Sequence, residues 1–255
     1  MKIQTHLISG AGNTFHITYN NGKVDNALMK QIAIRVCKKS PADGLIFLFN
    51  KRNNEYAWDF FNNDGSLAEM CGNATRCVGY YIKNILNSEK SYWQLSTTAG
   101  KIKIEFISNE SFKITMTPIR EFKSSQGFYC NTGVPHLVVE RADIKIEEKL
   151  KLEAKKIRES REFAPRGTNV TFVSFESEKA KIKAVSYERG VEDFTAACGT
   201  GAMAAAYFNL TKRGVKQTQV EMPGGTLMMD LSDLSRPTMT GPAILLGSAE
   251  YEVTT

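Results

Sequence analysis

The chain is short of cysteine, and what it has is odd in number: five in 255 residues. A fully paired disulfide framework is therefore excluded, and Cys37, Cys71, Cys77, Cys130 and Cys198 are expected as the free thiols of a reducing compartment. Long apolar runs are missing as well. No uninterrupted stretch approaches the ~20 residues that a membrane span needs, and the opening MKIQTHLISG lacks the apolar centre of a secretory leader. A cytoplasmic protein with no membrane role is expected. Zinc-type spacing, an RNP-type motif and a glycine-rich phosphate loop are all missing, so those classes lose their usual signatures. No lysine stands in a recognisable pyridoxal-phosphate context. Neither a metal nor a cofactor is expected. A block of one charge is also lacking. The net charge is +6, yet the densest charged run, EEKLKLEAKKIRESRE at 147–162, mixes both signs. It reads as a solvated helix face and not as a nucleic-acid patch.

What is present fits a soluble globular chain, with 42% hydrophobic and 24% charged residues, enough to exclude disorder and to build one large domain or two ordinary ones. The chain also repeats its own order. Cys198 lies 127 positions after Cys71 (198 − 71), about half of 255. A strand-like stretch precedes each, YAWDFF at 56–61 and KIKAVSYE at 181–188. A polar loop, a Cys-Gly pair and a helix-like segment follow. After Cys71, the apolar set Ala74, Cys77, Val78, Tyr81, Ile82 and Ile85 has the spacing of an amphipathic helix. After Cys198, Ala202 to Phe208 is apolar all round, as in a helix buried on every side. Each half opens on a loop and an apolar stretch, GAGNTFHI at 10–17 and TGVPHLVV at 132–139. The expected fold is α/β (α+β), with two pseudo-symmetric halves, each a central helix wrapped by a mixed, barrel-like sheet, and an active site in the cleft between them. The expected domains are 1–117, completed by a C-terminal strand at 245–255, and 118–244, with Pro118 interrupting the strand pattern at the boundary.

A cysteine just before a helix meets backbone N–H groups that have no partner within the helix, and a dipole that favours negative charge. That placement predicts a lowered thiol pKa. The following glycine opens the backbone to a ligand, and the same N–H groups suit a carboxylate. A single cysteine of this kind is more often a packing residue. Two in equivalent places point to chemistry in which one thiolate takes a proton and an opposing thiol returns one, inverting a carbon centre. Cys77 falls on the apolar stripe, and Cys37 and Cys130 lack the helix-start setting, so these three read as core.

GAGNTF, NNDGSLAEMCGNATRC, GVPH, PRGTNVTFV, YERGVEDFTAACGTGA and a late PGG, in this order over most of the chain, resemble the diaminopimelate epimerase family. The resemblance implies an isomerase that interconverts LL- and meso-diaminopimelate without a cofactor, for lysine and peptidoglycan-precursor biosynthesis. It implies that Cys71 and Cys198 are the acid/base pair. Asn13, Asn62, Asn169, Glu188 and Arg189 would bind the charged ends of the substrate, and Gly72, Asn73, Gly199 and Thr200 the reacting carboxylate. Such roles suit a bidentate guanidinium and amides with both donors and acceptors. His136 would orient or tune the thiols. Two positions depart from the family: Val134 stands where an asparagine is frequent, and Gly44 where some members carry a polar residue. The partner expected is a small amino acid, with a homodimer allowed for. The alternatives are a racemase of another amino acid, such as histidine or hydroxyproline, on the same fold, or a non-catalytic binding protein.

Overall fold

A computed structural model of the chain describes residues 2–20, 22, 24–68 and 70–253. The chain divides into two compact units, Met1–Ile114 with Gly241–Thr255, and Thr115–Thr240. The divisions fall three and four residues before the expected 117/118 and 244/245.

The N-terminal unit contains β1 (Lys2–Gly10), β2 (Asn13–Tyr19), α1 (Asn26–Lys39), β3 (Gly44–Arg52), β4 (Glu55–Asn62), α2 (Gly72–Tyr80), β5 (Tyr92–Thr97), β6 (Gly100–Ser108) and β7 (Ser111–Thr115). Beside β1 lies the C-terminal strand, Ile244–Glu252. From that strand through β1 to β7, successive neighbours pair antiparallel, antiparallel, parallel, antiparallel, parallel, antiparallel, antiparallel.

The C-terminal unit contains β8 (Arg120–Phe122), β9 (Phe128–Asn131), β10 (Pro135–Glu140), α3 (Glu148–Arg158), β11 (Asn169–Phe175), β12 (Lys181–Glu188), β13 (Asp193–Phe194), α4 (Gly199–Arg213), β14 (Gln217–Met222), β15 (Gly225–Asp230) and the start of β16 (Thr238–Pro242), whose last two residues, Gly241 and Pro242, belong to the N-terminal unit. With the two-residue β13 set aside, its strands pair in the same sequence of senses. Each parallel step needs a crossover, and each crossover carries a helix: α1 and α2 in one unit, α3 and α4 in the other. The pseudo-symmetry is thus a repeated topology.

The two crossover helices of a unit do different work. In the N-terminal unit, α1 puts Met29, Ile32, Ala33 and Val36 against Leu45, Phe47, Phe61 and Tyr251. The Asp25 side chain caps it by accepting from Leu28 N–H at 2.8 Å, satisfying one of the orphan donors of the first turn. In the C-terminal unit, α3 buries Ala154 against Val170, Phe172, Val185 and Tyr187, with Leu150 and Ile157 beside it. Its charged face is solvated, as the mixed run indicates, and Lys151 reaches Asp193 at 2.5 Å and Arg158 reaches Glu192 at 2.6 Å.

The second helix of each unit is the buried one. In α4, Gly201 to Ala206, Phe208 and Asn209 are buried, as its apolar sequence predicts. It stops at Gly214, whose left-handed φ of 73° returns an N–H to the Leu210 carbonyl. The expectation for α2 needs correcting. Its apolar stripe is buried as far as Ile82, but so are Asn73, Thr75, Arg76 and Gly79. The helix is enclosed on every side, and its polar residues bond inward. It runs on as a π-helical turn through Tyr81–Ile85. Among the described residues, no helix is long and apolar enough to cross a membrane.

Candidate active site

Each unit places one of the two predicted cysteines at the start of its buried helix. In the N-terminal unit, Cys71 is the residue immediately before α2, in extended conformation (φ −143°, ψ 122°). Its carbonyl accepts from both the Thr75 N–H and the Thr75 hydroxyl at 2.9 Å, which fixes the first turn. Gly72 and Asn73 open the helix. Asn73 donates to Asn13 Oδ1 at 2.6 Å, and Asn13 donates to Asp43 Oδ2 at 3.3 Å.

Asn62 reaches this corner by register. Gly44, the first residue of β3, pairs with Phe15 on one side and with Asn62 on the other. The Asn62 amide donates to Ser66 Oγ at 2.9 Å inside the turn that Asp64 closes. The departure at Gly44 has a structural cause here, because a Cβ on that residue would overlap the Phe61 carbonyl oxygen. Strand packing accounts for glycine at this position.

Two residues missing from the sequence-based set join this half. One is Asp43, which also accepts from Thr14 N–H at 2.7 Å. The other is Arg76, fully buried one turn into α2. Its Nη2 donates to Asn73 Oδ1 at 2.9 Å, and its Nε to the Pro242 carbonyl at 3.3 Å. Burial brings its pKa down to about 10, while the Cys77 and Cys71 sulfurs act in the other direction. It stays charged at neutral pH. An arginine three positions after Asn73 on a helix was the available signal.

In the C-terminal unit, Cys198 immediately precedes α4 (φ −120°, ψ 107°) and its sulfur accepts from Gly201 N–H at 3.3 Å. The residues Gly199 and Thr200 open the helix, and the Thr200 hydroxyl lies 3.4 Å from the sulfur. The expected lowering of the thiol pKa is not what this half displays. Cys198 is 5% exposed, and its pKa is raised. Burial is the larger cause and the neighbouring Glu188 carboxylate the next, and together they outweigh the Thr200 hydroxyl and the Gly201 N–H. Helix-start amides do favour the thiolate, but desolvation and a like charge win. Glu188 is itself raised by burial, against hydrogen bonds from the Thr195 hydroxyl and the Cys198 thiol. A hydrogen bond joins thiol and carboxylate, adding to the rise of the one pKa and opposing the rise of the other.

Asn169 and Arg189 come next to this pair. The Arg189 N–H donates to Asn169 Oδ1 at 2.9 Å, so Asn169 must turn its nitrogen to His136 Nε2, 3.3 Å away. That makes Nε2 an acceptor and puts the ring proton on Nδ1, 2.8 Å from Thr171 Oγ1. Nε2 also lies 3.0 Å from the Thr200 hydroxyl. His136 is wholly buried, and burial together with the Arg189 charge lowers its pKa to about 3. It is a neutral ring that holds Thr200, one hydroxyl removed from the sulfur. It is not a proton acceptor at neutral pH. Val134 has its carbonyl 3.3 Å from Thr132 N–H and brings no polar side chain.

Cys37, Cys77 and Cys130 are buried thiols. Burial raises the pKa of each, to about 11 for Cys37 and about 12 for Cys130, which keeps them neutral and inert. Among the described residues, no three His, Cys, Asp or Glu side chains are grouped to hold a metal ion.

Known proteins share both the sequence and the topology. A family profile described as diaminopimelate epimerase matches residues 8–120 and again 128–246. The diaminopimelate epimerase of Aquifex aeolicus is 37% identical, over 92% of this chain and 92% of that protein. The one from a Hydrogenobaculum species is 32% identical, over 96% and 97%. Among solved structures, a phenazine biosynthesis PhzF-family protein of Enterococcus faecalis superposes with a TM-score of 0.76 at 14% identity, over 99% of this chain and 100% of that one. A probable proline racemase of Agrobacterium radiobacter gives 0.70 at 16%, over 99% and 93%. These two share the fold.

Proposed function

The chain belongs to the diaminopimelate epimerase family, and we propose that it interconverts LL- and meso-diaminopimelate. It is an isomerase acting in lysine and peptidoglycan-precursor biosynthesis. The observation that carries the reading is the pair Cys71 and Cys198, each the residue before the buried helix of a topologically repeated unit, each followed by glycine.

In this reading the reacting carboxylate lies against the helix-start amides of Gly72, Asn73, Gly199 and Thr200. There, fixed dipoles stabilise the negative charge that develops when the α-proton leaves. One sulfur removes the proton as thiolate, and the other, as thiol, protonates the opposite face. Cys198, whose pKa is raised beside Glu188, is the donor for one direction of turnover. For the reverse direction the roles exchange. Asn13, Asn62, Asn169, Glu188 and Arg189 supply donors and acceptors for a diamino diacid, and His136 keeps the Thr200 hydroxyl in place. No cofactor or metal enters the scheme. A small amino acid is the proposed partner, in a cytoplasmic protein that a homodimeric assembly would suit. Five free thiols support a reducing compartment.

The test is turnover in heavy water. LL-diaminopimelate should give the meso isomer with deuterium at the inverted carbon, and Cys71→Ala and Cys198→Ala should each give none. Exchange into histidine, proline or hydroxyproline at a comparable rate, with none into diaminopimelate, would overturn the reading.

A further inference from the structure

Two side chains that the catalytic scheme leaves unused stand at the ends of one chain of hydrogen bonds. Arg76 Nη2 donates to Asn73 Oδ1 (2.9 Å), Asn73 Nδ2 to Asn13 Oδ1 (2.6 Å), and Asn13 Nδ2 to Asp43 Oδ2 (3.3 Å). A guanidinium has only donors, and a carboxylate has only acceptors. An asparagine amide has both, and turning it over by half a rotation hardly alters its shape. Between a donor-only end and an acceptor-only end, one setting of the two amides satisfies all three links. Turning over Asn73, or Asn13, or both, sets N–H against N–H or oxygen against oxygen at two of them.

The ends are themselves anchored. Arg76 is fully buried, with its Nε on the Pro242 carbonyl. Asp43 accepts from Thr14 N–H with its side chain. Its own N–H bonds the Thr14 carbonyl at 2.8 Å, and its carbonyl accepts from Asn63 N–H at 3.0 Å. Both amides are therefore set by groups that a substrate does not need to touch.

We propose that Arg76 and Asp43 are positioning residues, which together fix the amide settings of Asn13 and Asn73 so that Asn13 meets a substrate carboxylate with an N–H. Asn13 commits one Nδ2 hydrogen to Asp43 and keeps the second for a ligand. Turned over, it would offer a carbonyl oxygen, which a carboxylate repels. The assignment rests on the diaminopimelate reading for its ligand, while the relay itself rests only on the four side chains.

The experiment separates the two. Turnover of LL-diaminopimelate by the unaltered protein is measured first, and its absence removes the functional reading. The relay has its own measurement, solvent exchange of side-chain amide hydrogens by nitrogen-15 NMR. The Asn73 hydrogen that meets Asn13 and the Asn13 hydrogen that meets Asp43 should each exchange at least about tenfold more slowly than those of exposed Asn87. Equal rates overturn the relay, whatever the activity. With turnover in hand, Asp43→Asn replaces the acceptor-only end by an amide of the same shape. KM for diaminopimelate should rise about tenfold with kcat within about threefold, as for one misdirected hydrogen bond to a charged group. Arg76→Gln should give the same split. Arg76→Lys, which keeps a donor-only group, should recover most of the lost KM. A folded Asp43→Asn with unchanged KM, or an Arg76→Lys no better than Arg76→Gln, overturns the proposal. Should Asp43→Asn not fold, the exchange rates and the Arg76 pair decide.

Discussion

Equivalent positions in the two units make an instructive comparison. Counting from the cysteines, Gly72 corresponds to Gly199, Asn73 to Thr200, Ala74 to Gly201 and Arg76 to Met203. Strand register supplies further equivalences. Phe15 pairs with Gly44 across the parallel β2–β3 step, as His136 pairs with Asn169 across β10–β11. Asn62, at the end of β4, corresponds to Glu188 at the end of β12. The backbones agree and the polar groups do not. In one unit a buried cation sits within α2, where α4 buries Met203. The other carries an imidazole, an amide and a carboxylate on strand positions where its counterpart has Phe15, Gly44 and Asn62. A repeated fold supplies two similar helix starts, and unlike neighbours make the two sulfurs inequivalent: a guanidinium behind one, a carboxylate beside the other.

The strongest way to break this comparison is to remove either sulfur. Cys71→Ala and Cys198→Ala should each lower epimerisation by about a thousandfold or more, the scale of a lost general acid or base. If one variant keeps near-normal turnover, the halves are not partners in a two-sided reaction. Glu188→Gln sharpens the contrast. Since the carboxylate holds the Cys198 pKa up, neutralising it should shift alkylation of Cys198 to lower pH, scored by peptide mapping. It should also reduce kcat by about a hundredfold. An unmoved alkylation profile would show that burial alone sets this thiol.

Packing gives a smaller test. A Cβ on Gly201 would overlap Ser186 Oγ and approach Thr171 Oγ1 at 3.1 Å and the His136 ring at 3.2 Å. Gly201→Ala should therefore cost about 1–3 kcal/mol by overpacking, read as a lower Tm, with Ser186→Ala giving part of it back. At the equivalent site, Ala74→Gly should cost about 1 kcal/mol through helix propensity alone. Equal costs would remove the packing difference.

A last difference lies in the pH dependence of stability. His136 has a folded pKa of about 3, against about 6.5 in an unfolded chain. Between those values the unfolded state binds the proton and the folded state does not. Stability is thus unaffected above about pH 6.5 and falls as the pH drops from there toward 3. The slope per histidine is at most about 1.4 kcal/mol per pH unit. Buried His16, also lowered, adds to it. His136→Gln should flatten urea-derived stability against pH in this window, and an unchanged slope would contradict a buried neutral ring.

Much of this was legible in the sequence because it depends on local order. Strand, polar loop, Cys-Gly and helix recur in both halves, and the α/β class and the two helix-start cysteines follow from that recurrence. The all-apolar Ala202–Phe208 announced a buried helix. What escaped depends on contacts distant in sequence. Arg76 lies off the apolar stripe of α2 and reads as solvent-facing, yet the strands around that helix enclose it. Asp43 reads as a turn residue ahead of β3, and its bond to Asn13 crosses thirty positions. The direction of the Cys198 shift differs from the sequence-based expectation because a helix start is visible in sequence, whereas the contact of the sulfur with a carboxylate ten positions upstream in the chain is not.

The strand that completes the N-terminal unit is contributed by residues 244–252, while the C-terminal unit is continuous from 115 to 240. On the ribosome, therefore, the order of completion is reversed relative to the order of synthesis. The later segment has all of its own strands once residue 240 has emerged. The earlier one waits with the outer edge of β1, from Lys2 to Ser9, lacking its antiparallel partner. A bare strand edge is a template for pairing with other chains. Between synthesis of β1 and emergence of residues 244–252 that edge stands open to misassociation, and a chain stalled or cut before residue 244 would keep it exposed.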